Sequence, residues 1–182
     1  GTLRDNLNMF SDRGSIFKLI RSLIDGLSII WDKNIVHRDL KPENIIIRPC
    51  GNPCIIDLGI ARFLDLESLT KTLSPFGPCT PTYAAPEQLK NLKNAIDMRA
   101  AFSALGVISL QLYLKVHPFT SDSENGVYSI VENILTNRYV TSTQSILEDN
   151  AISSFANKTI APQPYQRFRN YEQIKNYVAH YL

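Results

Sequence analysis

An α+β domain, mainly helical, is what three features of this 182-residue chain predict. A long amphipathic stretch opens it, two short β-branched runs flank a turn of proline, glycine and asparagine, and a nearly all-apolar stretch lies in the second half. Helical and strand patterns do not alternate along the chain, which argues against a parallel sheet with crossover helices.

The first element covers residues 15–33. Ile16, Phe17, Leu19, Ile20, Leu23, Ile24, Leu27 and Ile30 recur at helical spacing, while Lys18, Arg21, Ser22, Asp25 and Asp32 take the other face. Asn44-Ile45-Ile46-Ile47 and Cys54-Ile55-Ile56 are separated by Arg48-Pro49-Cys50-Gly51-Asn52-Pro53, the pattern of a small hairpin. Residues 64–86 are rich in Ser, Thr, Pro and Gly with no sustained period, and so long an irregular segment inside a compact domain is usually functional. Residues 102–114 are apolar except for Ser103, Gly106, Ser109 and Gln111 and predict a buried central helix, with Pro118 stopping it or its exit turn. Shorter helices are expected over 127–136, 146–157 and 171–181. No repeat, low-complexity tract or linker divides the chain, so 1–182 is expected to form one domain.

Composition narrows the function classes. Hydrophobic residues make up 44% of the chain and charged residues 20%, which supports a packed core and excludes a disordered chain. The net charge of +2, from 19 basic and 17 acidic side chains, gives no reason to expect nucleic acid or a membrane surface as partner. No apolar run approaches the ~20 residues that span a bilayer, and residues 1–10 lack the apolar core of a secretory signal. Three cysteines, Cys50, Cys54 and Cys79, form neither a disulfide framework nor a zinc site, which favours a reducing, cytoplasmic setting.

The chemistry-bearing residues concentrate between the first helix and the hairpin. His37-Arg38-Asp39-Leu40-Lys41-Pro42-Glu43-Asn44 holds two basic groups, two carboxylates and an amide, anchored by apolar runs on both sides. Asp57-Leu58-Gly59 follows the second strand. Asn44 and Asp57 therefore place oxygen donors at neighbouring strand ends, the ligand type that Mg²⁺ takes together with substrate phosphates. Asp39 is near enough to accept a proton from a hydroxyl, and Lys41 to offset charge on a moving phosphoryl group. Taken singly, His37-Arg38-Asp39 reads as a solvated turn and Asp57-Leu58-Gly59 as a turn that ends a strand.

In combination and in this order, the motifs resemble the eukaryotic-type protein kinase family, including its bacterial members. Segment 37–44 matches the family's catalytic loop H-R-D-L-K-P-E-N at every position. Asp57-Leu58-Gly59 is similar to the D-F-G triplet, with Leu58 in place of Phe. Thr80-Pro81-Thr82-Tyr83-Ala84-Ala85-Pro86-Glu87 resembles T-P-x-Y-x-A-P-E, the close of an activation segment running over 57–87. Leu105-Gly106-Val107 and Pro118-Phe119 resemble the helix and turn that follow, and Arg167 the late arginine that pairs with the A-P-E glutamate, here Glu87.

The resemblance covers the family's larger, C-terminal lobe and implies ATP and Mg²⁺ as cofactors and a protein as substrate. It makes Asp39 the residue that orients and deprotonates the substrate hydroxyl, Lys41 the contact to the transferred phosphoryl, and Asn44 and Asp57 the Mg²⁺ ligands. Thr80 would bridge the catalytic and substrate-binding loops. Lys41 and the Thr80-Pro81 context resemble serine/threonine kinases more than tyrosine kinases. Arg38 would pair with a phosphate on the long segment, where Thr70, Thr72 and Ser74 are candidate acceptors. Glu87 and Arg167 would form a structural ion pair, and His37 would pack rather than act as a base.

Four departures go with the resemblance. The eight glycines include no G-x-G pair, and the family's N-terminal lobe, with its glycine-rich loop, strand lysine and helix glutamate, is expected to be absent from the chain. The family's buried aspartate, which holds the catalytic loop through its backbone amides, aligns with Ala101, and Asp97 is the candidate to stand in for it. Cys79 replaces a glycine before Thr80, and Leu58 replaces a phenylalanine. The chain is thus read as part of an ATP-dependent serine/threonine kinase, inactive in isolation, whose exposed interlobe face is expected to favour self-association. The alternative is a pseudokinase-like binding or scaffold module without catalysis.

Overall fold

The computed structural model describes residues 1–58, 61–63, 79–120, 126–139 and 149–182. Among them the fold is mostly helical, with two small antiparallel sheets.

Helix α1 (Arg13–Trp31) begins two residues before the periodic apolar pattern, because Asp12 caps it. The Asp12 carboxylate accepts from Ser15 N at 2.9 Å, satisfying one of the free N–H groups of the first turn. Ile16, Phe17, Leu19, Ile20, Leu23, Ile24 and Leu27 are buried as the spacing requires, and Trp31 closes the face. After α1, strand β1 (Ile35–Val36) leads to segment 37–44, and strands β2 (Ile45–Ile47) and β3 (Pro53–Ile55) form the expected hairpin with Ile45 opposite Ile55. Residues at the start of the chain extend it: Leu3 N donates to Ile45 O and Ile47 N to Gly1 O. The second sheet, β1 with β4 (Arg62–Phe63), was not anticipated, since two-residue strands carry no alternation to read.

Helix α2 (Pro86–Leu89) closes the segment after Thr80, and helix α3 (Met98–Leu114) runs through the middle of the core. Every residue of α3 from Ala100 to Leu112 is buried, and the helix starts four residues earlier than the apolar run because Asp97 caps it. It ends at Lys115, in left-handed backbone (φ 64°), before Pro118 is reached. The Lys115 ammonium donates to Leu7 O and Phe10 O, tying the exit of α3 to the start of the chain. Helices α4 (Val127–Leu135), α5 (Asn150–Thr159) and α6 (Tyr171–Ala179) follow along the chain. The expected start of α5 at 146 falls outside the described residues, and Asp149 caps the observed one through Ala151 N and Ile152 N.

Candidate active site

Segment 37–44 lies between β1 and β2, so both its ends are held by strands. His37 is fully buried. Its Nδ1 accepts from Asp39 N at 3.3 Å, which leaves Nε2 to donate to Ile56 O at 3.2 Å, a neutral tautomer. Burial holds its pKa below the ordinary value, although the Ile56 carbonyl and the charges of Asp39 and Asp57 oppose this. His37 is thus a strut between the segment and the end of β3. Arg38 turns the chain in left-handed backbone (φ 71°), unusual for a side chain of its size.

The turn delivers Asp39 into a cluster of donors. Its Oδ1 accepts from Thr80 N at 2.8 Å. Its Oδ2 accepts from Asn44 Nδ2 at 3.1 Å and faces the Lys41 ammonium at 2.9 Å. Lys41 Nζ also donates to Thr80 Oγ1 at 2.7 Å. Burial alone would raise the pKa of Asp39, but the hydrogen bonds from Thr80 and Lys41 and the lysine charge outweigh it and hold the carboxyl below its ordinary value. Asp39 is therefore a carboxylate at neutral pH, with its oxygens fixed in direction.

Asn44 is 7% exposed and gives both Nδ2 hydrogens to Asp39, to O at 2.9 Å and to Oδ2. Its Oδ1 is then the atom it can offer a cation. Ile56 N donates to Asn44 O at 2.9 Å, so Asp57, exposed and in left-handed backbone (φ 64°), follows directly on a residue bonded to Asn44. Two oxygen donors at adjoining strand ends fit a hard cation that keeps water and phosphate ligands. Among the described residues, no group of three or more His, Cys, Asp or Glu side chains could hold a metal by themselves.

Asp39, Lys41, Asn44 and Thr80 thus share one cluster, with Asp57 beside it. Thr70, Thr72, Ser74 and Gly59 lie outside the described residues. Cys79 is half-buried, and its thiol is pushed up to about 11 by burial and by the Asp39 charge, so it is inert at neutral pH. The Glu87 carboxylate and Arg167 guanidinium form a bidentate pair at 2.7 and 2.8 Å, both side chains almost fully buried.

Asp97 does not take the place left by Ala101. Its carboxylate caps α3 through Arg99 N at 2.8 Å and pairs with the Arg99 side chain. A cavity of about 10 Å³ lies between Arg38, Asp39 and Leu40 on one side and Ala100, Ala101 and Ala104 of α3 on the other. The residue that does reach the segment had no signal in the sequence: Gln88, from α2, donates to Arg38 O at 2.8 Å.

Comparison with known proteins gives a consistent picture. A family model of the protein kinase domain matches residues 2–180. Serine/threonine-protein kinase PknL of Mycobacterium tuberculosis is 34% identical over 128 residues, covering 68% of this chain and 30% of that protein. Serine/threonine-protein kinase pkn3 of Myxococcus xanthus is 34% identical over 121 residues, 63% of this chain and 22% of that protein. A cGMP-dependent protein kinase of Drosophila melanogaster, isozyme 2 forms cD5/T2, is 33% identical over 129 residues, 71% of this chain and 13% of that protein. The chain therefore spans less than a third of the length of these relatives.

Proposed function

This chain belongs to the protein kinase family, and from that premise we propose that residues 1–182 are the C-terminal lobe of a serine/threonine kinase domain that moves the γ-phosphoryl group of ATP to a protein hydroxyl. The catalytic loop is 37–44 and the activation segment 57–87. The carrying observation is the Asp39 carboxylate, held ionised and aimed by Thr80 N–H, Asn44 and Lys41.

In this reading Asp39 orients the substrate Ser or Thr hydroxyl and accepts its proton as the oxygen attacks. A carboxylate with a lowered pKa is a weak base, so its main contribution is to fix the direction of attack. Lys41, 2.7 Å from Thr80 Oγ1 and 2.9 Å from Asp39, adds positive charge where negative charge grows on the transferred group. Asn44 Oδ1 and the Asp57 carboxylate hold Mg²⁺. When bound, the ion neutralises phosphate charge. Arg38 pairs with a phosphate on the segment that carries Thr70, Thr72 and Ser74.

The missing half of the ATP site is supplied by an N-terminal lobe. Ile56 and Leu58, 37% and 54% exposed beside Asp57, suit an apolar cover of that kind, or a second copy in its absence. A cytoplasmic setting suits three cysteines that form no disulfide, and no described helix is long and apolar enough to cross a membrane.

The test uses the full-length polypeptide with radiolabelled ATP, Mg²⁺ and a generic protein substrate. Asp39→Asn is expected to lower labelling of Ser and Thr by at least ~100-fold. Undiminished labelling by the Asn variant overturns the assignment, and nucleotide binding without any transfer by the parent protein marks a binding module instead.

A further inference from the structure

We propose that Gln88 is a positioning residue for Asp39, and that the catalytic loop of this chain is held from α2 rather than from the central helix α3. The inference rests on the reading of Asp39 as the group that meets the substrate hydroxyl.

The peptide group joining Arg38 to Asp39 is held at both ends. Its N–H, on Asp39, donates to His37 Nδ1 at 3.3 Å, and its carbonyl, on Arg38, accepts from Gln88 Nε2 at 2.8 Å. Gln88 is 5% exposed, and its amide has one workable orientation. Oε1 accepts from Ala85 N at 3.1 Å while Nε2 faces Arg38 O; a flipped amide would set donor against donor and acceptor against acceptor. The left-handed turn at Arg38 is unfavourable for a residue with a Cβ and stays in place only when its surroundings determine it.

In the cavity that Gln88 also lines, α3 presents Ala100, Ala101 and Ala104, which carry no polar side-chain atom. The cavity between them and the loop, about 10 Å³, admits one water at most. Gln88 is itself firmly based. The preceding residue, Glu87, is locked by two hydrogen bonds to Arg167, and Arg167 also donates to Ala161 O and Arg99 O. The sequence Arg167, Glu87, Gln88, Arg38, Asp39 is thus a continuous path of buried polar contacts and chain neighbours from the late part of the chain to the reacting carboxylate.

Two variants separate positioning from folding. Gln88→Met keeps the length and loses both hydrogen bonds; Gln88→Glu keeps the acceptor for Ala85 N but sets an oxygen against Arg38 O. Both are expected to keep a native circular dichroism spectrum. In both, the Thr80 amide, freed from a fixed Asp39, is expected to exchange ~10-fold faster by NMR. In the full-length enzyme, kcat falls ~10- to 100-fold with little change in KM for ATP. Unfolding of both variants, or folded variants with Thr80 exchange unchanged, overturns the proposal. The exchange measurement involves no phosphoryl transfer, so its outcome is independent of Asp39→Asn, which tests the kinase reading.

Discussion

His117 shows how one half-buried side chain makes this fold sensitive to acid. Its Nε2 faces Thr82 O at 3.0 Å and its Nδ1 accepts from Phe119 N at 3.3 Å, so the neutral ring joins the segment after Thr80 to the turn after α3. Burial pushes its pKa down from 6.5 to about 4; the Thr82 carbonyl opposes this, and the Arg4 charge adds to it. The unfolded chain takes up this proton first, so stability is full above pH 6.5 and is lost as pH falls toward 4. The loss should reach about 2 kcal/mol at pH 5 relative to pH 7.5. Asp39, also depressed, contributes stability that is present above the ordinary carboxylate value and lost only as pH falls through its lower folded value. Urea unfolding at the two pH values measures the first effect, and His117→Gln should remove most of the difference. An equal difference in the variant would place the cause elsewhere.

At the scale of elements, the contact between α3 and α5 depends on the absence of a side chain. A Cβ at Gly106 would overlap Thr159 and lie 2.7 Å from Ile160 Cγ2. Thr159 cannot readily turn aside, since its hydroxyl donates to Phe155 O at 2.8 Å. Gly106→Ala gains ~1 kcal/mol of helix propensity, yet overpacking two buried helices costs ~1–3 kcal/mol. The variant should be net destabilised by up to about 2 kcal/mol in urea. A variant more stable than the parent would show that α5 can shift.

Across the whole molecule, the Glu87–Arg167 pair joins residues 80 positions apart in sequence. Both side chains are buried, so losing one partner leaves the other's charge without compensation. Arg167→Met should cost about 3–5 kcal/mol by urea denaturation, and Glu87→Leu combined with Arg167→Met should cost less than the single change. Equal losses in the two proteins would mean that the bonds from Arg167 to Ala161 O and Arg99 O, not the ion pair, carry the effect. Because Gln88 adjoins Glu87, the same single variant should also raise Thr80 amide exchange.

What could be read in advance followed from contiguity and period. The apolar stripe of α1, the β-branched runs of β2 and β3 and the all-round apolarity of α3 are local patterns, and they locate elements whose ends are then set by single capping residues such as Asp12 and Asp97. Asp39, Lys41 and Asn44 stand close together in the chain, so their juxtaposition was visible before any fold was known. The pairing of β1 with β4 was not, because two-residue strands leave no periodic trace. Nor was Gln88, whose partner lies 50 residues away and whose own neighbourhood looks ordinary. By itself, then, the order of residues determined the long helices α1 and α3, the hairpin and the family, since these rest on patterns within short windows. Which side chain fills the place opposite Ala101, and which way the loop is held, was decided only in three dimensions, because a hydrogen bond depends on where distant segments meet after the core has packed.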